Sequence, residues 1–207
     1  MVENRWSALG RGAAGPGYAR RFADLAASGV DVHGEATFCA GLVAPGTAVL
    51  DAGCGTGRVA IRLSEHGYVC TGVDADRSML DEARSAAPAL TWVAADLAAM
   101  DGHPALDGPF GLVVTAGNVV PLLASGTEAA VVAGLARRLA PGGLLVSGFG
   151  LDAAHLPLDV APFGLAEYDR WCSAAGLEPL ARYASWDAEP YEAGGYAVSV
   201  HRSPERT

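Results

Sequence analysis

The chain of 207 residues contains no lysine; all fourteen of its basic residues are arginine. That absence excludes a Schiff-base lysine, a phosphate-loop lysine and a catalytic lysine base. Cysteine is scarce as well. Cys39, Cys54, Cys70 and Cys172 form no C-x-x-C pair, so zinc and dithiol redox motifs are missing. The five histidines, His33, His66, His103, His155 and His201, show no H-x-x-x-H spacing, and no metal is expected. Thiols used this way fit a reducing compartment. No apolar run approaches the roughly 20 residues that span a bilayer, so a membrane is not an expected partner. The start, Met1-Val2-Glu3-Asn4-Arg5-Trp6, lacks the basic and apolar character of a signal peptide, and a cytoplasmic location is expected. Positive charge is in deficit, with a formal net charge of −9. A nucleic-acid binder needs basic groups to neutralise phosphates, so that partner is not expected either. Hydrophobic residues make up 51% and charged residues 18%, which excludes a disordered chain.

A chain of this length suits one domain with one sizeable core. Trp6 to Pro16 is rich in glycine and small residues and reads as a flexible lead-in. Tyr18, Phe22 and Leu25 have helical spacing. Asp31 reads as the N-cap of a second helix, with Glu35 in its first turn and Phe38 and Leu42 on its apolar side. From Ala48 the pattern alternates. Short apolar strands at 48–51, 68–74, 90–94, 110–115 and 144–149 are separated by amphipathic helices at 58–66, 76–86 and 128–139, the last stopped by Pro141-Gly142-Gly143. This alternation implies right-handed β-α-β units and a buried parallel sheet. Residues 152–163 read as a loop, 165–175 as a helix, and 177–186 with 196–201 as an antiparallel hairpin closing the sheet. The expected organisation is a single domain over 1–207, comprising an N-terminal helical cap (1–46), a cofactor-binding core (47–150) and a closing loop, helix and hairpin (151–207).

The informative stretch is Val49-Leu50-Asp51-Ala52-Gly53-Cys54-Gly55-Thr56-Gly57-Arg58, where a strand enters a glycine-rich turn that opens a helix. Glycine lets the backbone approach a ligand closely, and a helix start leaves free N–H groups there. The dinucleotide fingerprint G-x-G-x-x-G is not met, because Arg58 stands where its third glycine belongs. Asp74 ends the next strand, 23 residues on (74 minus 51), and Asp96 ends the third. Three consecutive strands thus finish in aspartate at the sheet edge where ligands of such folds bind. A single aspartate there reads as a turn former or cap; three in phase with one glycine loop read as a site.

Together these residues resemble the class I S-adenosylmethionine-dependent methyltransferases. Val49 to Gly57 resembles that family's first motif, Gly72-Val73-Asp74 with Met79-Leu80 its second region, and Ala95-Asp96-Leu97 its adenine-binding segment. Leu139-Ala140-Pro141-Gly142-Gly143 resembles the turn before its fifth strand. The resemblance covers about Thr47 to Gly150. It implies an α/β, doubly wound, mostly parallel seven-stranded Rossmann-like sheet in the order 3-2-1-4-5-7-6, with strand 7 antiparallel. It implies S-adenosylmethionine as cofactor and S-adenosylhomocysteine as product. By position, the backbone of Gly53, Cys54, Gly55 and Gly57 would hold the methionine part, with Asp51 near its amino group. Asp74 would bind the ribose, and Ala75 and Met79 would line the adenine. Asp96 would accept from the adenine amino group beside Leu97, and Ala116 would join the site after the fourth strand.

The implied reaction is in-line methyl transfer to a small-molecule acceptor. Alternatives are a non-catalytic module that binds the same ligands, and a nicotinamide-dependent oxidoreductase; zero lysines make the Tyr-x-x-x-Lys pair of the latter impossible. Ala116-Gly117-Asn118 is not the Asn/Asp-Pro-Pro-aromatic tetrad of nucleic-acid amino-methyltransferases. No catalytic residue is assigned, since a base is needed only if the acceptor must lose a proton first; His155, in the proline-rich loop, reads as an exposed loop histidine, and is the best-placed base if one exists. Tyr18 with Arg20 or Arg21 can close on the cofactor carboxylate or form a solvated helix face. His33-Gly34-Glu35 reads as helix capping and Trp171 with Phe163 as apolar packing, with a place in the site as the alternative for each. The acceptor atom and the oligomeric state are not legible.

Overall fold

The computed structural model describes residues 3–10 and 14–205. Three helices, α1 (Arg5–Ala8), α2 (Gly15–Ala27) and α3 (Gly34–Ala40), precede the first strand. Then follow β1 (Ala48–Ala52), α4 (Arg58–Glu65), β2 (Val69–Asp74), α5 (Arg77–Ala86), β3 (Thr91–Ala94) and β4 (Phe110–Thr115). The chain ends through α6 (Glu128–Arg137), β5 (Leu139–Gly150), α7 (Leu165–Ala174), β6 (Glu178–Tyr183) and β7 (Tyr196–Arg202). The strands form one sheet in the order β3-β2-β1-β4-β5-β7-β6. Only β7 runs antiparallel to its neighbours, β5 and β6. Among the described residues no helix is long and apolar enough to cross a membrane.

The sheet is buried on both faces because successive side chains point to opposite sides. Leu50, Val113 and Leu145 face a core completed by Val131, Val132 and Leu135 of α6 and by Tyr168 and Cys172 of α7. Val49, Leu112 and Val146 face a second core built on Ala36 and Phe38 of α3 and on Val59 and Leu63 of α4. Phe163 and Trp171 pack in the first core, their rings 4.8 Å apart. Neither is among the residues that line the pocket at the strand ends.

Several local expectations change. The stretch expected as a flexible lead-in is partly helical, while 11–13 lie outside the described residues. Asn4 caps α1 by accepting from Ser7 N at 2.8 Å, and α2 starts at Gly15, with Pro16 in its first turn, where a missing N–H costs nothing. Asp31 does not cap α3. His33 holds that position, and Asp31 instead accepts from His33 N at 2.8 Å. Pro141-Gly142-Gly143 does not precede β5 but lies inside it, where the register with β4 shifts. β6 ends at Tyr183 rather than Trp186, so the hairpin connection is longer than the sequence pattern suggests.

Candidate active site

The carboxyl ends of β1, β2 and β4 open into a pocket of about 530 Å³. Ten of the eleven residues expected to bind the cofactor line it. From the first strand and turn come Asp51, Gly53, Cys54 and Gly55; from the second, Asp74, Ala75 and Met79; from the third and fourth, Asp96, Leu97 and Ala116. Gly57 does not. It sits at the start of α4 with φ +80°, and a Cβ there would run into the Trp92 ring. Its glycine is a packing requirement, as well as a left-handed turn that other residues rarely adopt.

Parallel pairing sets the three aspartates at one edge. Asp51 is opposite Gly72 in β2, and Asp74 is opposite Ala94 in β3, two residues before Asp96. Asp51 is buried, and its Oδ2 accepts from Ala60 N of α4 at 3.0 Å. Burial pushes its carboxyl up to about 7, against the opposing pull of that hydrogen bond and of Arg58. Asp74 Oδ2 accepts from Gly55 N at 2.8 Å and Oδ1 from Asp76 N at 2.8 Å. It therefore ties the glycine turn to the turn opening α5, and burial raises its carboxyl too. Each oxygen retains a second lone pair for a ligand hydroxyl. Asp96 Oδ1 accepts from Ala98 N at 2.9 Å and starts a short 3₁₀ turn over Leu97–Ala99.

Arg58, the departure from the dinucleotide pattern, also lines the pocket. Its guanidinium pairs with Glu35, donates to Val32 O and lies 4.6 Å from the centre of the Phe22 ring. One side chain thus fastens α2 and the start of α3 to α4. Glu35 is consumed in this ion pair rather than in capping, and His33 and Glu35 are not among the pocket residues. Of the candidates on α2, Tyr18 and Arg21 line the pocket and Arg20 does not.

The wall that α1 adds to the pocket has no counterpart among the residues expected from the sequence. Trp6 lines the pocket, and its Nε1 donates to Asp76 Oδ2 at 3.1 Å. Arg5 donates to Leu123 O at 2.8 Å and pairs with Glu128 at 2.8 Å. Helix α1 thereby bridges from the β2 side of the pocket to its β4 side. A glycine-rich lead carries no signal for that bridge. Leu122 and Leu123, also missed, belong to an apolar run after β4 that could have been noticed. His155 lines the pocket as well, beside Leu156 and Pro157.

Known proteins resemble this chain in sequence and fold. The family described as a methyltransferase domain matches residues 49–143. A TehB-like S-adenosylmethionine-dependent methyltransferase of Corynebacterium glutamicum superimposes with a TM-score of 0.81 at 31% identity, covering 93% of this chain and 99% of that one. A 2-heptyl-1-hydroxyquinolin-4(1H)-one methyltransferase of Mycobacteroides abscessus is 29% identical over 159 residues, 71% of this chain and 67% of that protein. Two further curated relatives, from a Geobacillus strain and from Bacillus subtilis, are 49% identical over 41 residues and 28% identical over 159; the matches span 17% and 62% of their lengths. Sheet order, glycine turn and nearly full-length similarity to a solved member agree, and the chain belongs to the S-adenosylmethionine-dependent methyltransferases.

Proposed function

We propose that the protein transfers a methyl group from S-adenosylmethionine to a small-molecule acceptor by in-line displacement. The observation that carries this reading is the pocket itself, with Asp51, Asp74 and Asp96 all contributing to its lining. The donor chemistry fits the cofactor. A sulfonium and an ammonium are favoured near carboxylates, a ribose diol matches the spare lone pairs of Asp74, and an adenine amino group suits Asp96. A Cβ at Gly117 would enter open space, so the backbone after β4 leaves room for a ligand. In this reading the backbone of Gly53, Cys54 and Gly55 faces the methionine part, and Ala75, Met79 and Leu97 surround the adenine. Gly57 keeps its place behind the turn.

Bound S-adenosylmethionine supplies an electrophilic methyl group on a cationic sulfur. The chain's own work is to hold the acceptor in line with that group and keep water out. Orientation of this kind contributes roughly 7–11 kcal/mol. Trp6, Leu122, Leu123 and Leu156 supply apolar wall, and α1, α2 and α3 act as the cap of a single domain. A pocket of about 530 Å³ that takes cofactor and acceptor together suits a compact acceptor. The Mycobacteroides abscessus relative, named for a quinolone substrate, also favours a small molecule.

The test is thermal unfolding with S-adenosylmethionine, S-adenosylhomocysteine and NAD in parallel. A ligand at 100 times its Kd adds about 2.7 kcal/mol, or about 5–10 °C in Tm for a chain of this size. The expected result is a shift with the two adenosyl-sulfur ligands alone. No shift with either, or a shift with NAD alone, rejects the reading. Turnover on any small acceptor separates an enzyme from a binding module.

A further inference from the structure

The segments that follow β4 and β5 bring one titratable side chain to the pocket, His155. Its ring, about half exposed, is held at one nitrogen, and its backbone is clamped separately. Nδ1 lies 2.7 Å from Asp152 Oδ1. The same oxygen accepts from Ala154 N at 3.0 Å and from His155 N at 3.1 Å, and the hydrogen bond from the imidazole holds the Asp152 carboxyl below its usual range. Asn118 clamps the loop. Its Nδ2 donates to His155 O at 2.9 Å and its Oδ1 accepts from Gly150 N at 2.7 Å. To do so it adopts φ +69°, a left-handed conformation uncommon outside glycine. A Cβ at Gly195 would collide with Asp152 Oδ2 and His155 Nδ1, so the pair rests against bare backbone of the β7 hairpin. A nucleophile-side base oriented by a carboxylate is a recurring catalytic arrangement, and backbone strain tends to gather at functional sites.

We propose that His155 is the general base of the methyl transfer, that Asp152 is its positioning residue, and that the acceptor is a hydroxyl compound. This rests on the methyltransferase reading above. With Nδ1–H donated to Asp152, Nε2 is the nitrogen able to take a proton. The hydroxyl proton passes to His155 Nε2 as the acceptor oxygen forms its bond to the methyl carbon. The carbon–sulfur bond breaks with its electron pair left on sulfur, and the proton on His155 goes to solvent afterwards. A hydroxyl needs this help. A neutral amine attacks through its free lone pair, and a thiol ionises more readily than a phenol.

The test has two arms. In ¹⁵N-histidine-labelled protein saturated with S-adenosylhomocysteine, the neutral His155 ring carries its proton on Nδ1 and leaves Nε2 bare; a proton on Nε2 overturns the proposal. In turnover, 4-methylphenol, 2-naphthol and 8-hydroxyquinoline, which stay protonated near neutral pH, are compared with aniline and thiophenol. The expected result is methylation of hydroxyl probes, with kcat lowered about 10²–10⁴-fold in His155→Ala. KM and S-adenosylhomocysteine affinity stay within twofold, and added imidazole restores part of the rate. The wild-type loss of activity on the acid side disappears in His155→Ala and shifts to lower pH in Asp152→Asn. Methylation of only the amine or thiol, of no probe by protein that binds S-adenosylhomocysteine, or an undiminished His155→Ala overturns it. Failure to bind S-adenosylhomocysteine at all rejects the cofactor reading instead.

Discussion

Asp74 joins three structural duties in one carboxylate: it ends β2, receives Gly55 N and receives Asp76 N. If it also binds the ribose, Asp74→Ala removes a charged acceptor worth about 1.5–3 kcal/mol. The expected outcome is a 10- to 150-fold weaker Kd for S-adenosylhomocysteine by calorimetry; an unchanged Kd would put the ribose elsewhere. The glycines of the turn divide by the same kind of reasoning. At Gly55, with φ +54°, a Cβ would find only Met79 Sδ at 3.9 Å. Gly55→Val therefore strains the turn and obstructs the pocket, and loses cofactor affinity in protein that still folds. At Gly57 a Cβ would strike Trp92. Gly57→Ala should lower Tm by several degrees and leave the affinity of the folded protein within about threefold. The three residues Gly53, Gly55 and Gly57 look alike in sequence because spacing records backbone conformation, not which wall a Cα faces.

Among the elements, α1 is short but heavily anchored. Glu128, at the start of α6, is 7% exposed and takes its cation from Arg5, whose guanidinium also serves Pro121 O and Leu123 O. Removing one partner of a buried pair strands the other charge, at a cost of about 3–5 kcal/mol. Arg5→Ala should therefore lose more stability in urea unfolding than Arg5→Ala combined with Glu128→Gln. Equal losses would show that the ion pair is idle and only the carbonyl contacts matter. The strands, and the helices between them, were legible because alternating apolar patterns register burial directly. The opening helix α1 was not. Four residues, Arg5–Ala8, are too few for periodicity, and beyond the local Asn4 cap what holds them lies far along the chain, at Asp76, Pro121, Leu123 and Glu128.

Over the whole molecule, buried titratable groups make stability depend on pH in opposing ways. Asp51, raised to about 7, is favoured neutral in the fold. Its contribution is full below its unfolded value of about 3.9 and is lost as pH rises through about 7, a change of roughly 4 kcal/mol at most. His201 behaves in reverse. It is 1% exposed, its Nε2 stands 3.4 Å from Asp169 Oδ1 without hydrogen-bond geometry, and burial lowers its pKa. Its contribution is present above about 6.5 and is lost as pH falls. In denaturant unfolding between pH 5 and 7.5, the stability of wild type relative to Asp51→Asn should fall as pH rises. Relative to His201→Phe it should climb. A flat difference in either comparison removes that residue from the account. The sequence alone determined the alternation of strand and helix, the glycine turn and the three aspartates at the strand ends, because each depends on neighbours close in the chain. The sheet order, too, followed from the family those motifs resemble. Only the tertiary structure decided that Gly57 packs on Trp92, that Arg58 holds Glu35 and Phe22, that α1 crosses the pocket, and that Asp152 and Asn118 fix His155. Apart from the Asp152–His155 contact within one loop, those contacts join segments distant in sequence, and the free energy that selects them comes from burial and hydrogen bonds that exist only once the sheet has formed.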